Sequence, residues 1–400
     1  MSAPTARTPS GQQTAGRGAY VYISVFSAAL YTVLLIAPVV TGRLADEYGL
    51  STTQLGLLSG AEMGAFSLAS LPAYLWLRRI NLRTATYIGV AGIVVGDVAS
   101  GFVTDSFGWL LAFRVITSLA AGSITVILLS LSGRTPNPSR AYGLFTVCQL
   151  AMGALILAVF PMLFADAPVG AIYWTLAGIT ALCLPAVRLI DGNLMRDPSA
   201  TSQGAATGRV PATSFLLGML AIGLFYVALS GVWTFMEQVS TGAGNPRTGT
   251  ALVLSVATIA GVLSALLATL LGDSLRRAIC LGAGYAGLAV SVLLLFGAPT
   301  LLRFAAAAVL FKFAWTWILP YLLSGLSQLG GGSDHVMTTT NLMIGGGFLI
   351  GPLLAGRLSA GGDFTPMLTL SAVSVLISMG LALGARPRAT APALAPATAA

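Results

Sequence analysis

Charge is what this chain has least of. Only 8% of its 400 residues are Asp, Glu, Lys or Arg, where an ordinary soluble domain has about a quarter. With 56% hydrophobic residues as well, it cannot cover a water-facing surface, and a soluble globular reading is excluded. Histidine is nearly missing, with His335 alone, and the three cysteines, Cys148, Cys183 and Cys280, lie far apart inside apolar runs. One imidazole builds no metal site, and three scattered thiols give neither a disulfide framework nor a zinc spacing. No metal and no cofactor are therefore expected, and the thiols read as packing groups. No nucleophile–base pair stands out either, so the chain is not read as an enzyme. It lacks the short alternating segments of a β-barrel, and a sizeable soluble output domain of the kind a sensor carries.

What it does have is apolar runs of about 20 residues, the length that crosses a bilayer as a helix. Their punctuation is polar. Residues 1–17 are low in complexity and expected to be disordered. Gly18–Gly42 has a single charge-free core too long for a signal peptide, and reads as an uncleaved first span. Spans 2 to 4 fall at about 52–76, 84–104 and 108–132; span 5 fits between Arg140 and Asp166, and span 6 between Asp166 and Arg188. After Asp191–Thr213, a Gly/Ser/Thr/Pro linker, spans 7 to 10 follow at about 213–236, 249–271, 279–298 and 301–325. Span 11 fits between His335 and Arg357, and span 12 is about 364–385. The expected organisation is an all-α polytopic membrane protein of 12 transmembrane helices: a six-helix unit over 18–190, a linker over 191–213, a second six-helix unit over 214–388, and a disordered tail over 389–400.

The net charge of +8 does not point to nucleic acid, because the basic residues sit in short clusters between spans rather than on one stripe. They orient the chain instead. With the N-terminus inside, fourteen arginines fall in inner segments, while the outer ones hold Arg43, Arg247, Arg357 and, at a span edge, Arg303. Both termini and the linker are thus expected in the cytoplasm. The Gln328–His335 loop contributes no basic residue. Trp109 and Trp174 fall at outer span ends and Trp76 at an inner one, as an aromatic belt requires; Trp315 and Trp317 lie deep in span 10. The Arg bias and abundant Ala and Gly suggest a bacterial source, hence the inner membrane.

Six plus six spans with a polar central linker resemble the major facilitator superfamily (MFS), over about residues 18–388. The stretch Pro72–Arg83, PAYLWLRRINLR, is similar to the family's loop 2–3 motif in its arginines but has no Asp; GDSLRR, Gly272–Arg277, is a better second-half copy. Arg114–Gly122, RVITSLAAG, resembles the span 4 motif. The span 5 Gly-Pro pair of antiporters is missing, although Gly351–Pro352 occurs in span 11. The resemblance implies two pseudo-symmetric bundles, a cavity lined by spans 1, 4, 7 and 10, and spans 2 and 11 facing each other. It also implies a monomer that binds a small-molecule substrate and membrane lipid.

Gly56, Gly60 and Gly64 recur every four residues in span 2, as do Gly347, Gly351 and Ala355 in span 11. Small-residue stripes let helix backbones approach, so the two are read as a facing pair that opens and closes, against the alternative of static packing. Gly345, Gly346 and Pro352 make span 11 a candidate bend. Lys312, the only lysine, is too deep in span 10 to snorkel to water, and a charge there marks a functional site by default. The alternative is a structural ion pair, with Glu62 the named partner. Trp315, three residues on, shares its helix face, and a cation beside an aromatic wall suits an organic or aromatic anion. Arg114 would face the same space from the other half, or serve helix packing or proton coupling. Tyr31, Phe225, Trp233 and Tyr321 complete the aromatic candidates, against lipid-facing packing. Glu62 and Asp97 are the candidate proton carriers; Glu62 sits roughly 200° around its helix from Gly60, and the peripheral span of Asp97 also suits a structural role. Glu237, at the outer end of span 7, reads as a solvated or gating residue. The function expected is secondary transport of a small organic solute by alternating access, as a proton-coupled symporter. The alternative is a proton-driven multidrug efflux antiporter of the same fold.

Overall fold

A computed structural model describes residues 16–77, 79–103, 105–163, 167–194, 212–271, 276–329 and 334–385. Most of the two expected disordered ends, most of the 191–213 linker, Arg78 and most of the Gly272–Arg277 copy lie outside the described residues. Within them every regular element is helical. In order these are α1 (Gly18–Leu30), α2 (Thr32–Leu35), α3 (Ala37–Tyr48), α4 (Thr52–Leu68), α5 (Ser70–Trp76), α6 (Leu82–Phe102), α7 (Phe107–Ser132), α8 (Pro138–Leu163) and α9 (Gly170–Leu182), followed by a 3-10 turn (Leu184–Leu189). Then come α10 (Ala212–Gly242), α11 (Arg247–Leu271), α12 (Arg277–Leu293), α13 (Leu301–Leu329), α14 (Asp334–Leu358) and α15 (Thr365–Gly384).

Proline explains why the first, second and sixth spans are interrupted. Its missing N–H frees the carbonyl four residues earlier, and its ring crowds that group. Pro72 acts on Leu68, where α4 ends; Pro185 acts on Ala181, where α9 gives way to the 3-10 turn; Pro38 acts on Leu34, just before the break at Ile36. The first span breaks a second time at Tyr31, where Thr32 donates back to the Ala28 carbonyl at 2.8 Å, a bond that bends helices. It also runs six residues beyond Gly42, to Gly49 in the left-handed region at φ 63°, a conformation that costs glycine least. A capping box starts α4, with Gln54 N–H donating to Ser51 Oγ at 3.3 Å and Ser51 N–H to Gln54 Oε1 at 3.0 Å. The candidate bend in span 11 is no break, since α14 runs through Gly345, Gly346 and Pro352.

With these interruptions the described helices are consistent with the twelve expected spans. Nine are long and apolar enough to cross a membrane, and Gly18–Leu30 and Arg277–Leu293 are shorter apolar helices. The first half packs through α4–α7, α6–α7, α6–α9 and α1–α8; the second through α10–α14, α10–α15, α11–α13 and α12–α13. Between the halves α4 meets α14 and α8 meets α11. Under a six-span repeat those two contacts exchange, as a pseudo-two-fold arrangement requires.

The halves close tightly at the end that carries the α3–α4 connection. A Cβ on Gly56 would stand 3.0 Å from the Gly356 Cα and closer still to the Pro352 carbonyl; on Gly60 it would stand 2.5 Å from the Leu349 carbonyl, and on Gly64, 2.9 Å from the Leu349 Cβ. The glycine stripe of α14 differs from expectation. Gly347 faces Tyr226 and Gly351 faces Ser230 and Gly231, all on α10 within the same half. The face turned to α4 is Leu349, Pro352 and Gly356, spaced i, i+3, i+7, so two neighbouring stripes on one helix serve two contacts. Ser255 Oγ also donates to the Ala154 carbonyl at 2.7 Å and Thr41 Oγ1 to the Thr234 carbonyl at 2.8 Å, each bond crossing between halves.

Candidate functional site

Lys312 and its indoles are assembled by three helices of the second half. On α13, Thr316 Oγ1 donates to the Gly261 carbonyl at 2.9 Å, and Ser264 Oγ of α11 donates to the Phe313 carbonyl at 2.7 Å. These bonds fix the rotation of α13 on α11 and turn Lys312 toward α10. There its Nζ lies 3.7 Å from the Trp233 ring centroid and 4.1 Å from that of Trp315. The two indoles meet edge-on at 6.3 Å, and Phe311 braces Trp315 at 6.1 Å. Lys312 is 2% exposed. Among the described residues the ammonium has no carboxylate within ion-pair distance and no hydrogen-bond acceptor.

Glu62, the alternative partner, is engaged elsewhere. Arg114 of α7 donates through Nε to Glu62 Oε1 of α4 and through Nη1 to Asp97 Oδ1 of α6. The guanidinium carbon sits 4.7 Å over the Tyr173 ring of α9. Local sequence allows this convergence: Gly96, beside Asp97, packs on Thr117 of α7, and Gly122 of α7 packs on the Phe66 carbonyl of α4, so three backbones approach closely. Arg114 is fully buried, and its guanidinium points into its own half rather than toward a space shared with Lys312. It is not a second free cation. A cavity of about 20 Å³ adjoins it, lined by Asp97, Arg114, Thr117 and Thr180 among others. Arg114 Nη2 and Thr117 Oγ1 have no protein hydrogen-bond partner among the described residues, and the space suffices for one water.

The remaining aromatic candidates separate. Half-buried Tyr31, at the α1–α2 break, packs edge-on against Phe66 at 5.0 Å and Phe145 at 5.4 Å. Phe225 lies within the second half against Tyr226 and Tyr285. Tyr321 packs on Trp317, and its carbonyl accepts from Arg277 Nε at 2.8 Å. Trp109 is 63% exposed, as an interfacial side chain should be, whereas Trp317 is bound to the Cys280 carbonyl at 2.9 Å. Side chains around His335 lie outside the described residues.

Three contacts between the halves were not legible beforehand. Gly356 had a signal, since 349, 352 and 356 form a helical face. Glu237 is not solvated: it is 3% exposed and packs across the halves on Gly42, where a Cβ would stand 2.8 Å from its Oε1. The indole N–H of Trp233 donates to the Leu34 carbonyl of the first half at 3.2 Å, and its only signal was the position of Pro38.

Known proteins share this architecture. A nucleoside transporter, NupG, solved as a point mutant, superposes with a TM-score of 0.71 at 12% identity, over 92% of this chain and 98% of that one. A bacterial homolog to the human lysosomal transporter Spinster, inward-facing and unoccupied, gives 0.66 at 15% identity, over 92% and 96%. Identities this low carry the fold alone. Residues 21–333, however, match the Major Facilitator Superfamily as a sequence family, a match that extends over both halves of the molecule. The chain therefore belongs to the Major Facilitator Superfamily, an integral membrane protein with a transporter's fold.

Proposed function

We propose that this protein is a proton-coupled secondary transporter of a small organic solute bearing one negative charge, moved by alternating access between its two halves. The observation that carries this reading is the Lys312 ammonium, buried between two indole faces without an acceptor. A lysine at the centre of a spanning helix costs about 2.5–3.5 kcal/mol on insertion scales. A desolvated indole offsets about 2 kcal/mol of such a cost, so two rings can hold the cation, but a π face offers no lone pair to its three N–H donors. A carboxylate supplies what the rings do not. The limit of one charge follows from Arg114, whose guanidinium is already shared by two carboxylates. A nucleoside, the cargo named for NupG, is uncharged and would leave Lys312 unanswered.

Proton coupling rests on the other charged group. Arg114, Glu62 and Asp97 sum to one negative charge when both carboxyls are ionised, and an uncompensated buried charge costs several kcal/mol. A single proton on Glu62 or Asp97 removes it. The triad is then the proton carrier of the first half, and Lys312 the anion site of the second. In the orientation set by the arginines, the tightly closed end is the external one, and the termini are cytoplasmic.

The test is Lys312→Ala in purified protein. A panel of aromatic monocarboxylates is screened for binding, with melting temperature followed in parallel. Loss of binding at an unchanged melting temperature is expected. Wild-type binding with a lowered melting temperature would refute the substrate role. Saturable export of cationic drugs, indifferent to Lys312, would favour the multidrug antiporter instead.

A further inference from the structure

The indole of Trp233 has two partners, one over its face and one at its edge. Its face covers the Lys312 ammonium at 3.7 Å. Its edge donates to the Leu34 carbonyl at 3.2 Å, across the boundary between the halves. That carbonyl is available for a reason written in the sequence. In a continuous helix it would accept from the N–H of residue 38, and residue 38 is proline. The chain breaks at Ile36 and resumes as α3 with Pro38 in its first turn. Trp233 is 1% exposed, so both partners are reached inside the closed contact. Beside it, Thr41 of α3 donates to the carbonyl of Thr234, the residue that follows Trp233. The cation site and the closing contact therefore share one side chain.

We infer that Trp233 is the latch between the Lys312 site and closure of the two halves: its N–H holds the carbonyl freed by Pro38 while its ring is held by the ammonium. An anion that draws the ammonium off the indole face frees the ring to turn, and the bond to the first half loosens. Occupancy of the site is thereby read by the interface. This extends the function proposed above, because it takes Lys312 as the anion site, but the latch itself can be tested without any ligand.

The experiment uses the full chain in lipid nanodiscs, with Cys148, Cys183 and Cys280 replaced and spin labels placed at Asp105 and Thr248, exposed residues at the closing end of either half. Distances between the labels report the closed and open populations. Trp233→Phe keeps a ring beside Lys312 and loses the N–H. Pro38→Ala returns an N–H to the Leu34 carbonyl. Each is expected to lower the closed-to-open ratio by about 2- to 12-fold, the span of one neutral hydrogen bond. The double variant is expected to shift no further than the larger single one, since both act on the same bond. Lys312→Met is expected to lower the ratio in the Trp233 background and to have little effect beside Trp233→Phe. Unchanged populations in Trp233→Phe, or additive effects in either pair, would overturn the latch. Binding of benzoate to the same samples reports separately on the anion site. If benzoate and its relatives fail to bind, the substrate class falls while the ligand-free populations still decide the latch.

Discussion

Putting a methyl group on Gly60 asks how tightly the closed end is packed. Its Cβ would stand 2.5 Å from the Leu349 carbonyl oxygen, and ordinary contact begins near 3.4 Å. About 0.9 Å of separation is needed. The obstacle is the backbone of α14, which has no rotamer to give, so α14 and α4 must part. Overpacking of this kind costs about 1–3 kcal/mol. Because the strain exists only where the helices touch, it falls on the closed state and not on each half's own fold. The closed-to-open ratio should drop by about 5- to 150-fold. Gly56→Ala should do the same, its Cβ meeting the Pro352 carbonyl and the Gly356 Cα. Distances between labels at Asp105 and Thr248 give the ratio, and solute uptake into proteoliposomes gives turnover. Gly351→Ala is the control: its Cβ meets Ser230 and Gly231 inside the second half, so it should lower the melting temperature and leave the ratio nearly unchanged. If Gly56→Ala and Gly60→Ala keep wild-type distances and turnover while Gly351→Ala shifts them, the assignment of the two α14 faces is refuted.

Arg114→Ala strands Glu62 and Asp97 and is expected to cost about 3–5 kcal/mol of stability, the usual consequence of removing one partner of a buried ion pair. Arg114→Met combined with Glu62→Gln and Asp97→Asn should recover most of that in thermal unfolding while abolishing uptake driven by a pH gradient; gradient-driven uptake by the triple variant would remove the triad from proton coupling. A short Gly/Ser insertion near Gly204 is expected to leave the yield of folded protein and the uptake rate unchanged, because the expected linker is polar there; loss of folded protein would place the residues beyond Leu194, which is itself packed on the first half, inside a packed unit.

Much of the fold was legible because a bilayer is a demanding solvent. A segment that must satisfy its own backbone becomes a helix, and sparse charges mark where each one ends. That logic located the rods and missed their interruptions. Pro38, Pro72 and Pro185 break helices, whereas Pro320 and Pro352 sit inside continuous ones. The sequence at each site contains the same missing N–H. Satisfying the freed carbonyl does not decide the outcome, since the Trp233 N–H holds that of Leu34 and the helix still breaks there; the local sequence does not tell the two cases apart. The same limit applied to the glycine stripes: a period of four identifies a small-residue face but not the helix that covers it.

The charged groups divide along the same line. A bilayer makes every ionisable residue in a span conspicuous, so Lys312, Arg114, Glu62 and Asp97 stood out with no fold in hand. Their pairing did not, because it depends on which helix faces turn inward at the same depth. With one guanidinium and one ammonium to share between two carboxylates, charge alone permits Glu62 to neutralise Lys312 and Asp97 to neutralise Arg114. Packing chooses otherwise. Glycines at 96 and 122 bring α4, α6 and α7 together around Arg114, and both carboxylates reach it. The ammonium is left to two indoles. Glycines in the first half thus bring both carboxylates to the guanidinium, while in the second half the ammonium rests on aromatic faces alone.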